Sequence, residues 1–175
     1  SMLVNIDLTL SFATKDDRVS QTADKQVWQA NGVKLINSKA ESTTPVADYA
    51  NPVRFYKNST VTIESGGMTK IVFNCNKDSY ATVLQGSLSG TNYTVSVNGK
   101  AVTVIFNDAS DSVTCTLSAA VWVDSITVTV LRCPGEHLDA DTNEICDNCG
   151  ADLHVHEYTE IIFDATCTED GYTDF

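Results

Sequence analysis

The chain has 175 residues, of which 42% are hydrophobic and 19% charged, enough apolar mass for a core and too much for global disorder. Its formal net charge of −12 and pI near 4.4 argue against direct contact with nucleic acid or an anionic membrane, because phosphate recognition needs a basic patch. Neutral polymers, cations and basic proteins remain as partners, and no apolar run reaches the ~18 residues of a membrane span.

The first element is the clearest. Val4, Ile6, Leu8, Leu10 and Phe12 alternate with Asn5, Asp7, Thr9 and Ser11, the period of a half-buried strand. Residues 14–24 are polar and read as a loop. Residues 25–30 read as one helical turn closed by Asn31-Gly32, a good C-cap pair. A short strand is expected at 33–36 and a small, polar loop at 37–44. Next comes Val46-Ala47-Asp48-Tyr49-Ala50-Asn51-Pro52-Val53-Arg54-Phe55-Tyr56, too polar for a core strand and too aromatic for a plain loop. That mixture suits either a shaped binding surface or a bracing loop.

Strands are expected at 60–64 and 70–75, joined by a turn at Ser65-Gly66-Gly67, and a short helix at 79–88. Tyr93, Val95 and Val97, then Asn98-Gly99, then Val102, Val104 and Phe106 predict a type I′ hairpin. Val113, Cys115 and Leu117 predict a further strand. Residues 121–131 predict the last, with Trp122, Ile126, Val128 and Val130 inward. Seven or eight short antiparallel strands with little helix make an all-β fold, a β-sandwich, over residues 3–131.

From Cys133 onward the apolar periodicity stops, and residues 132–175 form a separate Cys/His-rich segment. Cys133-x3-His137-x8-Cys146-x2-Cys149 has the residue types and spacing of a tetrahedral zinc site. So short a segment cannot bury a core and needs a staple. The alternative is a disulfide between Cys133 and Cys146 or Cys149, which an extracellular location favours. His154 and His156 are spare ligand types. Asp139, Asp141, Asn143 and Asp147 match positions 1, 3, 5 and 9 of a calcium loop, but position 6 is Glu144 and position 12 is Gly150. Calcium is therefore the weaker cofactor reading beside zinc. Cys75 and Cys115 fall on inward strand positions, as a disulfide or as two buried thiols. A weak strand is expected at 160–163.

Two stretches carry family resemblances. Val27-Trp28-Gln29-Ala30-Asn31-Gly32, the segment from Val46 to Tyr56, Ile71-Val72-Phe73-Asn74-Cys75-Asn76 and Ser79-Tyr80-Ala81-Thr82 resemble a β-sandwich module of unassigned role. That module recurs in secreted and cell-surface proteins of gut bacteria, beside glycan-active and nuclease-like domains. The resemblance covers roughly two thirds of the chain. It implies a jelly roll like those of carbohydrate-binding modules, and a carbohydrate ligand. Cys146-Asp147-Asn148-Cys149-Gly150 and Ala165-Thr166-Cys167-Thr168-Glu169-Asp170-Gly171 resemble Cys-rich repeats of bacterial surface proteins. A second Cys-x-x-Cys-Gly would follow Cys167 in such a repeat and is missing, so the segment reads as truncated. Ser1-Met2 reads as an expression remnant, with a signal sequence expected outside this chain.

Sugars present C–H faces that stack on aromatic rings and hydroxyls that bond planar amides and guanidinium groups. The candidate ligand-binding residues are accordingly Trp28, Tyr49, Asn51, Arg54 and Tyr56. No carboxylate pair, Ser-His-Asp arrangement or glycine-rich phosphate loop stands out. The expected function is non-catalytic carbohydrate binding in a larger extracellular or cell-surface bacterial protein. The expected partners are a polysaccharide or glycan and the other domains of the same polypeptide, not nucleic acid or a membrane interior. The alternative is a structural spacer or protein-interaction module of a surface adhesin.

Overall fold

A computed structural model describes residues 3–153. Expectations placed on His154, His156, Cys167 and residues 158–175 lie outside the described residues. The chain divides into two compact units, Leu3–Pro134 and a second that begins at Gly135.

The first unit is all-β apart from one helix. Its elements are β1 (Val4–Ser11), β2 (Arg18–Gln21), β3 (Lys25–Ala30), β4 (Val33–Ser38), β5 (Val53–Phe55), β6 (Thr60–Cys75), α1 (Asp78–Ser87), β7 (Tyr93–Asn98), β8 (Ala101–Thr116) and β9 (Val121–Arg132). All pairings are antiparallel, and the strands join into one curled, hydrogen-bonded sheet in the order β1-β9-β6-β4-β3-β2. Strand β8 lies on the other edge of β6 and carries β7, while β5 pairs with the start of β9. The apolar side of this sheet closes over Leu10, Phe12, Trp28, Leu35, Ile63, Ile71, Phe73, Val104, Ile126 and Val128, all fully or almost fully buried. Helix α1 adds Ala81 and Leu84 to that core, with Asp78 in its first turn where the helix dipole favours an acid.

Five local expectations are corrected. Residues 25–30 are not a helical turn but strand β3, paired along its whole length with β4. Gln26 is fully buried there, and its amide donates to Gln21 Oε1 at 2.7 Å. A polar residue facing inward hid the alternation. Asn31 and Gly32 then form the two-residue turn between β3 and β4, both with positive φ of 54° and 81°, the backbone of a type I′ hairpin.

The hairpin of β7 and β8 is the reverse case. Asn98 pairs with Ala101, and of the two turn residues Gly99 alone has positive φ, 61°. Glycine in the first central position is the type II′ pattern rather than the expected type I′.

Strand β6 does not turn at Ser65-Gly66-Gly67. It continues through a bulge between Glu64 and Met68, with Gly67 at φ 74° and its N–H donated to Asp111 Oδ1 at 2.9 Å. Before the bulge β6 pairs with β4, and after it with β9. Strand β8 likewise runs unbroken through what reads as two strands. In the loop at 14–24, finally, β2 forms a short edge strand whose bulge leaves Val19 unpaired and exposed.

Candidate metal centre and aromatic surface

Strand β9 carries a bulge that reorganises the surface. Asn74 of β6 pairs with Ser125 and Cys75 with Val123, so Asp124 has no partner in this ladder. One extra residue reverses the facing of everything beyond it, because side chains alternate with period two. Val121 and Val123 are therefore buried, and so are Ile126, Val128 and Val130, while Trp122 is not inward as expected but half-buried on the opposite face.

On that face Trp122 pairs across the ladder with Arg54 of β5. The Arg54 guanidinium lies 4.0 Å from the Trp122 ring and 3.8 Å from the Tyr49 ring. Tyr80, from α1, stacks on Trp122 with centroids 5.5 Å apart and 29° between planes. Lys77 Nζ stands 5.8 Å from the Tyr80 ring. The result is a row of three rings and two cations, each cation–ring contact contributing about 0.5–2 kcal/mol depending on desolvation. Tyr49, at the outer end, is 47% exposed.

Buried amides anchor the segment that supplies Tyr49 and Arg54. Gln26 Nε2 donates to the carbonyl of Ala47, and Asn37 Nδ2 donates to Gln26 Oε1 and to the carbonyl of Arg54, each at 3.2 Å. Asp48, beside Tyr49, pairs with Lys15 at 3.0 Å and with Arg18. Hydrogen bonds from Lys15 and then Arg18 hold its carboxyl below the ordinary value. Asn51 is exposed, with φ 55° and its N–H donated to the carbonyl of Phe12 at 2.7 Å.

Of the sequence-derived ligand residues, the structure brings Tyr49 and Arg54 together. Asn51 lies two residues from Tyr49, and Tyr56, half-buried, follows β5 outside the row. Trp28 is a correction: it is fully buried, with its ring edge-on to Phe12 at 5.0 Å, and cannot meet a surface ligand. Tyr80 and Lys77 were missed, and Trp122 was set aside because its strand parity pointed inward. The clue to Trp122 is the shift of apolar parity from Val121 and Val123 to Ile126 and Val128, which marks a bulge at Asp124-Ser125.

The second cluster lies from Cys133 onward. Cys133, His137, Cys146 and Cys149 place one ligand atom each within 4.8 Å of one another and could hold a metal ion such as zinc. Zinc–sulfur and zinc–nitrogen bonds of ~2.3 and ~2.0 Å in a tetrahedron separate donors by roughly 3.5–3.8 Å. Cys149 Sγ and His137 Nδ1 are already 3.8 Å apart. Three thiols and an imidazole form a four-donor set of the structural zinc type.

Local backbone builds that set. Cys146-x-x-Cys149 folds as a tight knuckle in which Gly150, at φ 80°, returns its N–H to the Cys146 carbonyl at 2.8 Å. The Asn148 N–H points at Cys146 Sγ at 3.4 Å, and the Asn148 side chain donates to the Glu136 carbonyl at 2.7 Å. Burial alone would push the Cys146 thiol up. The His137 hydrogen bond and the N–H groups of Leu138, Asn148 and Cys149 outweigh it, and the thiol is lowered to about 6. Cys75 and Cys115 are both free and buried, so for this pair the disulfide reading gives way to two buried thiols. Burial pushes Cys75 up to about 12 and Cys115 up to about 11.

Asp139, Asp141 and Asp147 also converge within 4.8 Å. Their carboxylates accept backbone N–H groups of the same loop: Asn143 and Glu144 donate to Asp139, and Ala140 to Asp147. Glu144 reaches φ 64° at the place where calcium loops carry glycine, and the cluster lacks the bidentate glutamate at position 12.

Comparison of the chain with protein-family models, with curated proteins and with solved structures finds no match.

Proposed function

We propose that this chain is a non-catalytic carbohydrate-binding module of a larger secreted or cell-surface bacterial protein, with a structural zinc ion stapling its C-terminal segment. The observation that carries the reading is the surface row of Tyr49, Arg54, Trp122 and Tyr80, with the exposed amide of Asn51 near its outer end. Arg54 on one flank and Tyr80 on the other occupy Trp122, so Tyr49 is the ring with a face to offer a sugar. Arg54 and Asn51 supply hydrogen bonds to hydroxyls beside it. The curled sheet, whose long strand β6 changes partners at its bulge, supports a β-sandwich of the jelly-roll kind common among such modules. Among the described residues no helix is long and apolar enough to cross a membrane, which is compatible with an extracellular module. In this reading the other domains of the polypeptide are its working partners.

The reading is tested by titrating the chain with a panel of soluble plant, microbial and mucin polysaccharides. Saturable binding to one class is expected, lost in Tyr49→Ala with the melting temperature nearly unchanged. Silence across the panel with the protein folded would sink it.

One observation favours a second reading, a structural spacer. The Arg54 guanidinium is clamped between the Tyr49 and Trp122 rings with its Nε buried, the posture of a side chain that fixes a loop. If Arg54→Ala lowers the melting temperature sharply and no glycan binds, the row is a brace.

A further inference from the structure

A second surface feature stands apart from the aromatic row. At one level of the sheet, β6 and β8 lose register together. Met68 pairs with Ser110 and Lys70 with Ile105, so residues 106–109 of β8 stand against Thr69 alone. The displaced stretch is held by loop residues: the Asn107 N–H donates to the Asn92 carbonyl at 2.7 Å, and Asn92 Oδ1 accepts the Asp108 N–H at 3.1 Å. Bulges of this kind re-aim side chains and open a sheet surface. Here they open a cleft of about 640 Å3, within the rough 300–1,000 Å3 range of small-molecule sites.

The lining runs across four neighbouring strands. Ile105 of β8, 44% exposed on a face otherwise rich in threonine, serine and asparagine, stands beside Lys70 of β6. Leu131 of β9 stands beside Asn5 of β1, and Asp7 and Thr69 complete the polar lining. Register places Lys70, Thr129 and Asp7 in one row across β6, β9 and β1. That sets Lys70 and Asp7 roughly 10 Å apart, two strand spacings. Thr129, almost buried, donates its hydroxyl to Asp7 Oδ1 at 2.6 Å and so orients the carboxylate. The other Asp7 oxygen and the Lys70 ammonium have no hydrogen-bond or ion-pair partner among the described residues.

We propose that this cleft is a site for a single neutral sugar ring. A ligand of net charge would meet a like charge on one side. Sugar hydroxyls donate to Asp7 and accept from Lys70, and the C–H face of the ring covers Ile105 beside Lys70. Asn5 and Thr69 bond the remaining hydroxyls. The assignment does not depend on glycan binding at the aromatic row, and variants separate the two places.

The test is an NMR titration of the whole isotope-labelled chain with glucose, galactose, mannose and N-acetylglucosamine, with free glycine and free leucine as zwitterionic controls. Amide shifts at Asp7, Lys70, Ile105 and Thr129 are expected to saturate at millimolar sugar. Asp7→Asn and Lys70→Ala are each expected to weaken binding roughly tenfold, by loss of a charge-assisted hydrogen bond. Tyr49→Ala is expected to leave it unchanged. Ile105→Ala, at the apolar position beside Lys70, gives an independent loss if either polar variant folds poorly. No shift with any sugar, shifts confined to the residues around Tyr49 and Trp122, or shifts with the amino acids in place of the sugars would each overturn the proposal.

Discussion

The two units of this chain are held together by opposite means. Leu3–Pro134 closes a continuous apolar core in which Phe12, Trp28, Leu35, Ile71 and Ile126 lose all contact with water. In the segment from Gly135 to residue 153, by contrast, Leu138 and Ile145 are about half exposed, and the buried residues are Cys146 and Cys149. Its order comes from turns, from backbone N–H groups donated to Asp139 and Asp147, and from the convergent metal donors His137, Cys146 and Cys149. Hydrophobic burial scales with area and tolerates many residue choices. A donor set depends on a few named atoms and fails when one is lost.

The sharpest way to break this contrast is to remove the metal. Structural zinc sites in small domains bind with apparent free energies of about 10–16 kcal/mol near neutral pH, and that energy is folding energy. EDTA, or Cys149→Ser, is therefore expected to abolish the dispersed amide signals of residues 137–152 while those of the sheet stay in place. Collapse of both sets together would show that the units do not fold separately. Acid should act as a chelator does. The metal needs Cys146 as thiolate, and its lowered pKa of about 6 keeps it so at neutral pH. A proton competes with the metal for this thiol only below about 6, so metal content is expected to hold down to that pH and to fall on its acid side.

The converse experiment targets the core. Ile71 is fully buried against its neighbours in β6, β8 and β9. Ile71→Ala is expected to cost about 2–5 kcal/mol in the sheet transition, read by chemical denaturation. Metal content should not change. A matching loss of zinc would tie the donor set to the core.

How far the sequence carried depends on what each residue had to reveal. Strand β1 was legible because Ile6, Leu8 and Leu10 all face the core, and the Cys/His spacing because donor geometry is local. Strand β3 was hidden by the buried amide of Gln26, satisfied by Gln21 and Ala47, partners that no local pattern announces. Asn31-Gly32 shows the deeper difficulty. Positive φ suits a helix cap and a hairpin turn equally, and the partner strand decides between them. Trp122 was assigned to the wrong face because the bulge at Asp124 is a property of the β6–β9 register. The surface row followed from that bulge, and so was legible only at Tyr49 and Arg54.

The smallest expected effect sharpens the contrast from the sheet side. Asp48 is exposed, and Lys15 and Arg18 hold its pKa below the ordinary carboxylate value. A carboxyl with a lowered folded-state pKa stabilises above its unfolded value, near 3.8, and that contribution is lost as pH falls through the lowered value. Between neutrality and pH ~4 this group should therefore leave the sheet's melting temperature flat, while the metal segment comes apart over the acid part of the same range. Below that, Asp48→Asn should remove a small further decline, since exposed ion pairs contribute little and are screened by salt. A sheet that instead softened below pH 6, in step with metal release, would mean that the thiolates of the second unit support the first.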